Sequence, residues 1–122
     1  MEDHRPAFNV NYFVLVMGSL VAARLLRQRS GSAIINVGSV LSDCAIVYQG
    51  AYSSTTYAIR AFTNVLRMAL ERDGVPVAVA LIKPGGMHTP CPEHARRYVD
   101  QAPRVPPVIY DPRLVADAIQ TV

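Results

Sequence analysis

Tyr52 opens a stretch of helical periodicity and carries a phenol, which can move a proton only if something near it favours the charged form. A phenol titrates near pH 10, and proton transfer at neutral pH calls for a neighbouring positive charge that favours the phenolate. Four residues on, about one helical turn and hence on the same face, the sequence has Thr56, a hydroxyl without a charge. Arg60 lies two turns away, too far for that task, and Lys83, the only lysine, falls outside the segment altogether. Taken singly, a tyrosine reads as packing or surface, and Ser39 or Ser42 alone carries no signal.

Other reactive groups point to little. His4, His88 and His94 are too dispersed for a metal site and read as solvated loop residues. Cys44 and Cys91 form no Cys-x-x-Cys pair and read as reduced thiols of a cytoplasmic protein.

The 122 residues suffice for one modest core, so residues 1–122 are expected to form one unit. Eleven arginines and one lysine against nine acids give a net charge of +3, but they are scattered from Arg5 to Arg113. A nucleic-acid surface would need them clustered, so no nucleic-acid partner is expected. Tyr12 to Ala23 is apolar or small before Arg24 interrupts it, shorter than the roughly 20 residues a bilayer requires. A buried helix and no membrane association are expected, and Glu2 and Asp3 spoil a positively charged leader.

The elements that must position Tyr52 follow from periodicity. Phe8 to Arg29 has helical length and apolar residues on nearly every face, which predicts burial on more than one side. Gly31 suits a left-handed stop. Ala33–Val37 has the apolar, β-branched character of a buried parallel strand, and 38–49 reads as a loop. Tyr52 to Asp73 predicts a helix with Ala58, Phe62, Val65, Leu66 and Ala69 on its packed face, ended by Gly74. Val75–Ile82 reads as a second buried strand, with Pro76 tolerated at its start. Seven of the nine prolines lie from Pro84 onward, where loops, a short helix near residues 93–100 and a last helix capped at Asp111-Pro112 are expected. Helix, strand, helix, strand implies two parallel strands joined by a helical crossover, an α/β arrangement. Two strands leave sheet faces and edges uncovered, so this reads as part of a doubly wound, Rossmann-like sheet.

Two runs, Ser32-Ala-Ile-Ile-Asn-Val-Gly-Ser39 and Gln49-Gly-Ala-Tyr-Ser-Ser-Thr-Thr-Tyr-Ala-Ile-Arg-Ala-Phe62, resemble the catalytic segment of the short-chain dehydrogenase/reductase family. The family signature is Tyr-x-x-x-Lys with a serine thirteen residues before the tyrosine. Ser39 and Tyr52 keep that spacing, and Thr56 takes the lysine position. The resemblance implies an oxidoreductase that uses NAD or NADP to move a hydride to or from a small alcohol or carbonyl. In that scheme Tyr52 is the acid/base and Ser39 polarises the substrate oxygen, with Ser42 a loop-capping neighbour. Thr56 could reach the nicotinamide ribose with its hydroxyl but supplies no charge. Asn11, twenty-eight residues before Ser39, matches the asparagine that holds the family's proton-relay water.

Pro84-Gly-Gly-Met-His-Thr89 resembles the family's nicotinamide loop, which makes Pro84, Gly85, Met87 and Thr89 the cofactor-binding candidates. The glycine-rich turn that holds the pyrophosphate in this family has no counterpart here, and Gly85-Gly86 lacks its spacing. By resemblance the chain covers about half a family domain, from near the fourth helix to before the final strand, and is expected to be inactive alone. Residues 8–29 and 52–73 match the helices through which the family commonly forms homo-oligomers. A competing expectation is therefore a non-catalytic pseudoenzyme or interaction module that pairs with full-length relatives through them. A third is a fragment whose upstream DNA continues in frame into a glycine-rich strand–turn–helix.

Overall fold

The computed structural model describes residues 2–90 and 107–122. A long helix, α1 (His4–Leu26), leads into strand β1 (Ser32–Val37) and a short 3-10 turn at Val40–Ser42. Helix α2 (Gly50–Arg72), strand β2 (Val77–Ile82) and helix α3 (Arg113–Thr121) follow. The helix expected near residues 93–100 lies outside the described residues.

β1 and β2 pair in parallel, from Ser32 opposite Val77 to Val37 opposite Ile82, with α2 as the connection between them. The expected adjacent parallel pair and helical crossover are both present. Gly31 and Gly74 adopt φ of 74° and 65°, the left-handed turns that release α1 and α2 into the following strands. The second strand begins at Val77 rather than Val75, because Pro76 has no N–H to give a ladder.

The core is a seam between the helices and the sheet. Ala23 of α1, Ile34 of β1, Leu66 and Leu70 of α2, and Val75 and Val77 are buried together, with Leu26, Phe62 and Val79 packed against them. The expected packed face of α2 is met at Leu66 and Phe62 but not at Val65. Its buried residues run Ser53, Thr56, Ile59, Thr63, Leu66 and Leu70, with Thr55 beside them, while Val65 is 64% exposed. Apolar periodicity points to the valine, but the buried stripe of α2 is rich in hydroxyls.

Thr55, Thr56 and Thr63 each donate to a carbonyl of α2, while the Ser53 hydroxyl is buried without a partner among the described residues. Ser19 of α1 donates to the Asn36 side-chain oxygen at 2.9 Å, and the Asn36 amide donates to the Thr63 hydroxyl at 3.0 Å. All three side chains are buried, so one polar strand residue fastens both helices to the sheet.

α1 departs from expectation in three ways. It begins at His4 and ends at Leu26, with Arg27 as its C-cap, rather than running from residue 8 to 29. Phe8–Phe13 forms a π-helical segment, whose wider turn sets Tyr12 edge-on to Phe62 at 6.3 Å. Nor is α1 buried on more than one side: only Ser19 and Ala23 are buried in Val14–Leu26, while Met17 and Leu25 are 68% and 72% exposed. A two-stranded sheet can cover only one stripe of a helix, so the rest of the apolar surface faces outward. By length and composition alone, His4–Leu26 is also apolar enough to cross a membrane.

At α3 the boundary shifts by one residue, yet Asp111 still caps it. Its carboxylate accepts the Arg113 N–H at 2.8 Å, as the Asp-Pro start predicts.

Candidate active site

The loops that carry the candidate residues leave the carboxyl ends of β1 and β2, the edge at which open parallel sheets bind ligands. Gly38 continues the ladder by donating to Ile82 O at 2.8 Å, and a Cβ on Gly38 would meet the Leu81 side chain at 3.2 Å. Val40 N–H then donates to Pro84 O at 3.1 Å. Ser39 is thereby tied to the Pro84 loop, 45 positions away in sequence.

Ser39 is extended and 8% exposed, and its hydroxyl accepts the Leu41 N–H at 3.1 Å. Ser42 is fully buried and its hydroxyl donates to Ser39 O at 2.6 Å, while the side chain that caps the Val40–Ser42 turn is that of Ser39. Tyr52 stands in the first turn of α2 with 43% of its surface exposed.

Asn11 and Thr56 are not brought together. The Asn11 amide donates instead to the Thr55 hydroxyl at 3.2 Å, and Thr55 donates to Tyr52 O at 2.7 Å. Asn11 is thus fastened to the turn that carries Tyr52. Thr56 is 2% exposed and donates to Ser53 O at 2.8 Å, so its hydroxyl is turned back into α2. A β-branched hydroxyl inside a helix commonly bonds the carbonyl one turn back.

In the Pro84–Thr89 loop, Tyr110 N–H donates to Gly86 O at 2.8 Å and His88 N–H donates to Tyr110 O at 2.9 Å, so Met87 lies paired with Tyr110. Gly85 faces the Tyr110 ring, Met87 is half-buried and Thr89 is exposed.

Sequence reasoning overlooked Asp43, which follows the Ser42 turn. One carboxylate oxygen meets Arg60 at 2.5 Å and the other meets Lys83 at 2.6 Å. The Lys83 hydrogen bond is the largest effect on the Asp43 carboxyl; desolvation opposes it, but the charges of Lys83 and Arg60 add to it and hold the carboxyl below the usual carboxylate range. Thr55 was also overlooked. Asn36 left a legible signal, since a polar residue within an apolar strand needs a partner. No group of His, Cys, Asp and Glu suited to a metal occurs among the described residues.

The chain is thus a parallel α/β unit whose Ser39 and Pro84 loops meet at the carboxyl ends of the strands, with Tyr52 in the first turn of the crossover helix. The chain belongs to the short chain dehydrogenase family, whose sequence model matches residues 1–99. It is 39% identical over 121 residues to an uncharacterized oxidoreductase, YxnA, of Bacillus subtilis, covering 98% of this chain and 34% of that protein. Over 88 residues it is 38% identical to a 3-amino-tetrahydro-pyrrolizinone reductase of Xenorhabdus hominickii, covering 72% of this chain and 30% of that enzyme. A short chain dehydrogenase from Burkholderia cenocepacia, solved with NADP, superposes with a TM-score of 0.75 at 27% identity, covering 95% of this chain and 45% of that one. The chain thus spans about a third of the length of these curated relatives.

Proposed function

We propose that this chain carries the substrate side of an NAD(P)-dependent oxidoreductase site that acts on a small alcohol or carbonyl. Ser39 would polarise the substrate oxygen, Tyr52 would exchange its proton, and Asn11 would hold the turn bearing Tyr52 through Thr55. Pro84, Gly85, Met87 and Thr89 would face the nicotinamide, which supplies or takes the hydride when bound. The observation that carries this reading is the Val40–Pro84 hydrogen bond, which sets the Ser39 loop against the proposed cofactor loop. The serine and the Pro-Gly loop suit a nicotinamide, but the Thr56 position does not. It offers neither a cation nor a free hydroxyl donor, so the chain by itself is expected to be a poor or inactive catalyst. Titrating NADPH into this chain, and into a chimera completed with a relative's amino-terminal portion, tests the reading. Binding by the chimera that Met87→Ala and Thr89→Ala weaken would support it, and unaltered binding would refute the loop assignment.

The buried Thr56 and the outward apolar face of α1 favour a second reading: a non-catalytic module that pairs with full-length relatives through α1 and α2. Co-sedimentation with such a relative, lost on Met17→Glu, separates it from the first.

A further inference from the structure

We propose that Asp43 is a positioning residue for the Ser39 hydroxyl, locking the Val40–Ser42 turn between α2 and the end of β2 by holding Arg60 and Lys83 at once. This rests on the role proposed for Ser39.

The turn is closed mostly on itself. Ser42 N–H and its hydroxyl both return to Ser39 O, and the Ser39 hydroxyl accepts Leu41 N–H. Outward ties are few. On one flank Val40 N–H reaches Pro84 O, and on the other Arg60 donates to Ser42 O at 3.1 Å. Asp43 joins the two flanks, because its carboxylate takes Arg60 from α2 on one oxygen and Lys83 from the end of β2 on the other.

Each of these side chains is about two-fifths exposed, and an isolated pair at such a site contributes little. Sharing one carboxylate between two cations changes the balance. Without Asp43, Arg60 and Lys83 become uncompensated like charges beside the same turn, so removing the acid substitutes repulsion for two attractions. Both cations are committed to Asp43. Among the described residues they are the charged groups that face it.

Hydrogen–deuterium exchange on the full chain, read at residues 39–43 against the α2 core at 59–70, tests this. Asp43→Asn and Asp43→Ala should raise exchange in the turn roughly three- to tenfold, with Asp43→Glu restoring most of the protection and the α2 core unchanged. Lys83→Gln should give an intermediate rise, and serves if the Asp43 variants fold poorly. After correction for intrinsic rates, the wild-type turn should loosen as pH falls below the ordinary carboxylate range, a step absent in Asp43→Asn. Equal protection in Asp43→Asn and wild type, equal effects of Asn and Glu, or a change confined to the α2 core would each overturn the proposal. Failure of the Ser39 role would appear separately, as full turnover by a Ser39→Ala chimera with the exchange pattern intact.

Discussion

The Asn11 amide donates to the Thr55 hydroxyl at 3.2 Å across 44 positions of sequence, joining the π-helical segment of α1 to the first turns of α2. Thr55 is fully buried and passes its own proton to Tyr52 O, so the contact also sets the turn that carries the proposed acid/base. Asn11→Ala should cost about 0.5–1.5 kcal/mol, the net worth of one hydrogen bond. Thr55→Val keeps the shape but strands the Asn11 amide, and should cost about 1–3 kcal/mol. Denaturant midpoints of the two variants and of their combination measure this; additive effects would show that the bond does not couple the helices.

Restoring charge at position 56 should matter only where cofactor can bind. In this chain Thr56→Lys is expected to produce no measurable NADPH turnover. In a chimera completed with a relative's amino-terminal portion, the same change should raise the rate by about 10²–10⁴. Initial rates decide it. Equal rates for the chimera that keeps Thr56 and for its Thr56→Lys counterpart would show that another group supplies the charge, although Arg60 is already bound to Asp43 and Ser42.

Val10, Val14, Met17, Val21 and Leu25 are each at least 59% exposed along α1, and the outer edges of the strand pair are unpaired among the described residues. Expressed alone, the chain should self-associate rather than behave as a compact monomer. Sedimentation velocity tests this. A sharp monomer boundary with a cooperative melt would contradict it.

Tyr48 has φ of 67° in the loop before α2, a conformation that crowds the Cβ of any residue but glycine, and its side chain is 90% exposed. Relief of left-handed strain, less the added freedom of glycine in the unfolded chain, should make Tyr48→Gly about 0.5–1 kcal/mol more stable. Tyr48→Ala should bring no such gain, because the strain resides in the Cβ. Urea midpoints of the pair separate backbone strain from loss of the ring.

Among the described residues, two carboxyls are held below the usual carboxylate range. Hydrogen bonding to Lys83 depresses Asp43, and hydrogen bonding to the Arg113 side chain and then its N–H depresses Asp111. A carboxyl whose folded value lies below its unfolded value, about 3.9 for aspartate, stabilises the fold above that unfolded value. Its contribution disappears as pH falls through the folded value. The protection of the Val40–Ser42 turn and the first turn of α3 should therefore be constant from pH 7 to about 5 and decline below about 4. Asp43→Asn and Asp111→Asn should each abolish the decline at their own site, read by exchange at matched intrinsic rates.

The sequence by itself determined the order of elements, the parallel pairing and the lineage. Apolar runs bounded by Gly31 and Gly74 admit little else, because strand and helix periods are local, but the burial expected of both strands is met only at Ile34, Asn36 and Val77. It also carried the spacing of Ser39, Tyr52 and Thr56. What it could not carry was the direction in which a polar side chain turns. Thr56 faces into α2, Thr55 takes the amide of Asn11, and Asp43 gathers Arg60 and Lys83 from two other elements. The exposed face of α1 was hidden for a related reason: hydrophobicity says that a helix is suited to burial, while only the number of neighbouring strands decides how many of its faces are covered. Hydrogen bonds and burial are settled between residues distant in sequence, and only the folded chain brings those residues together.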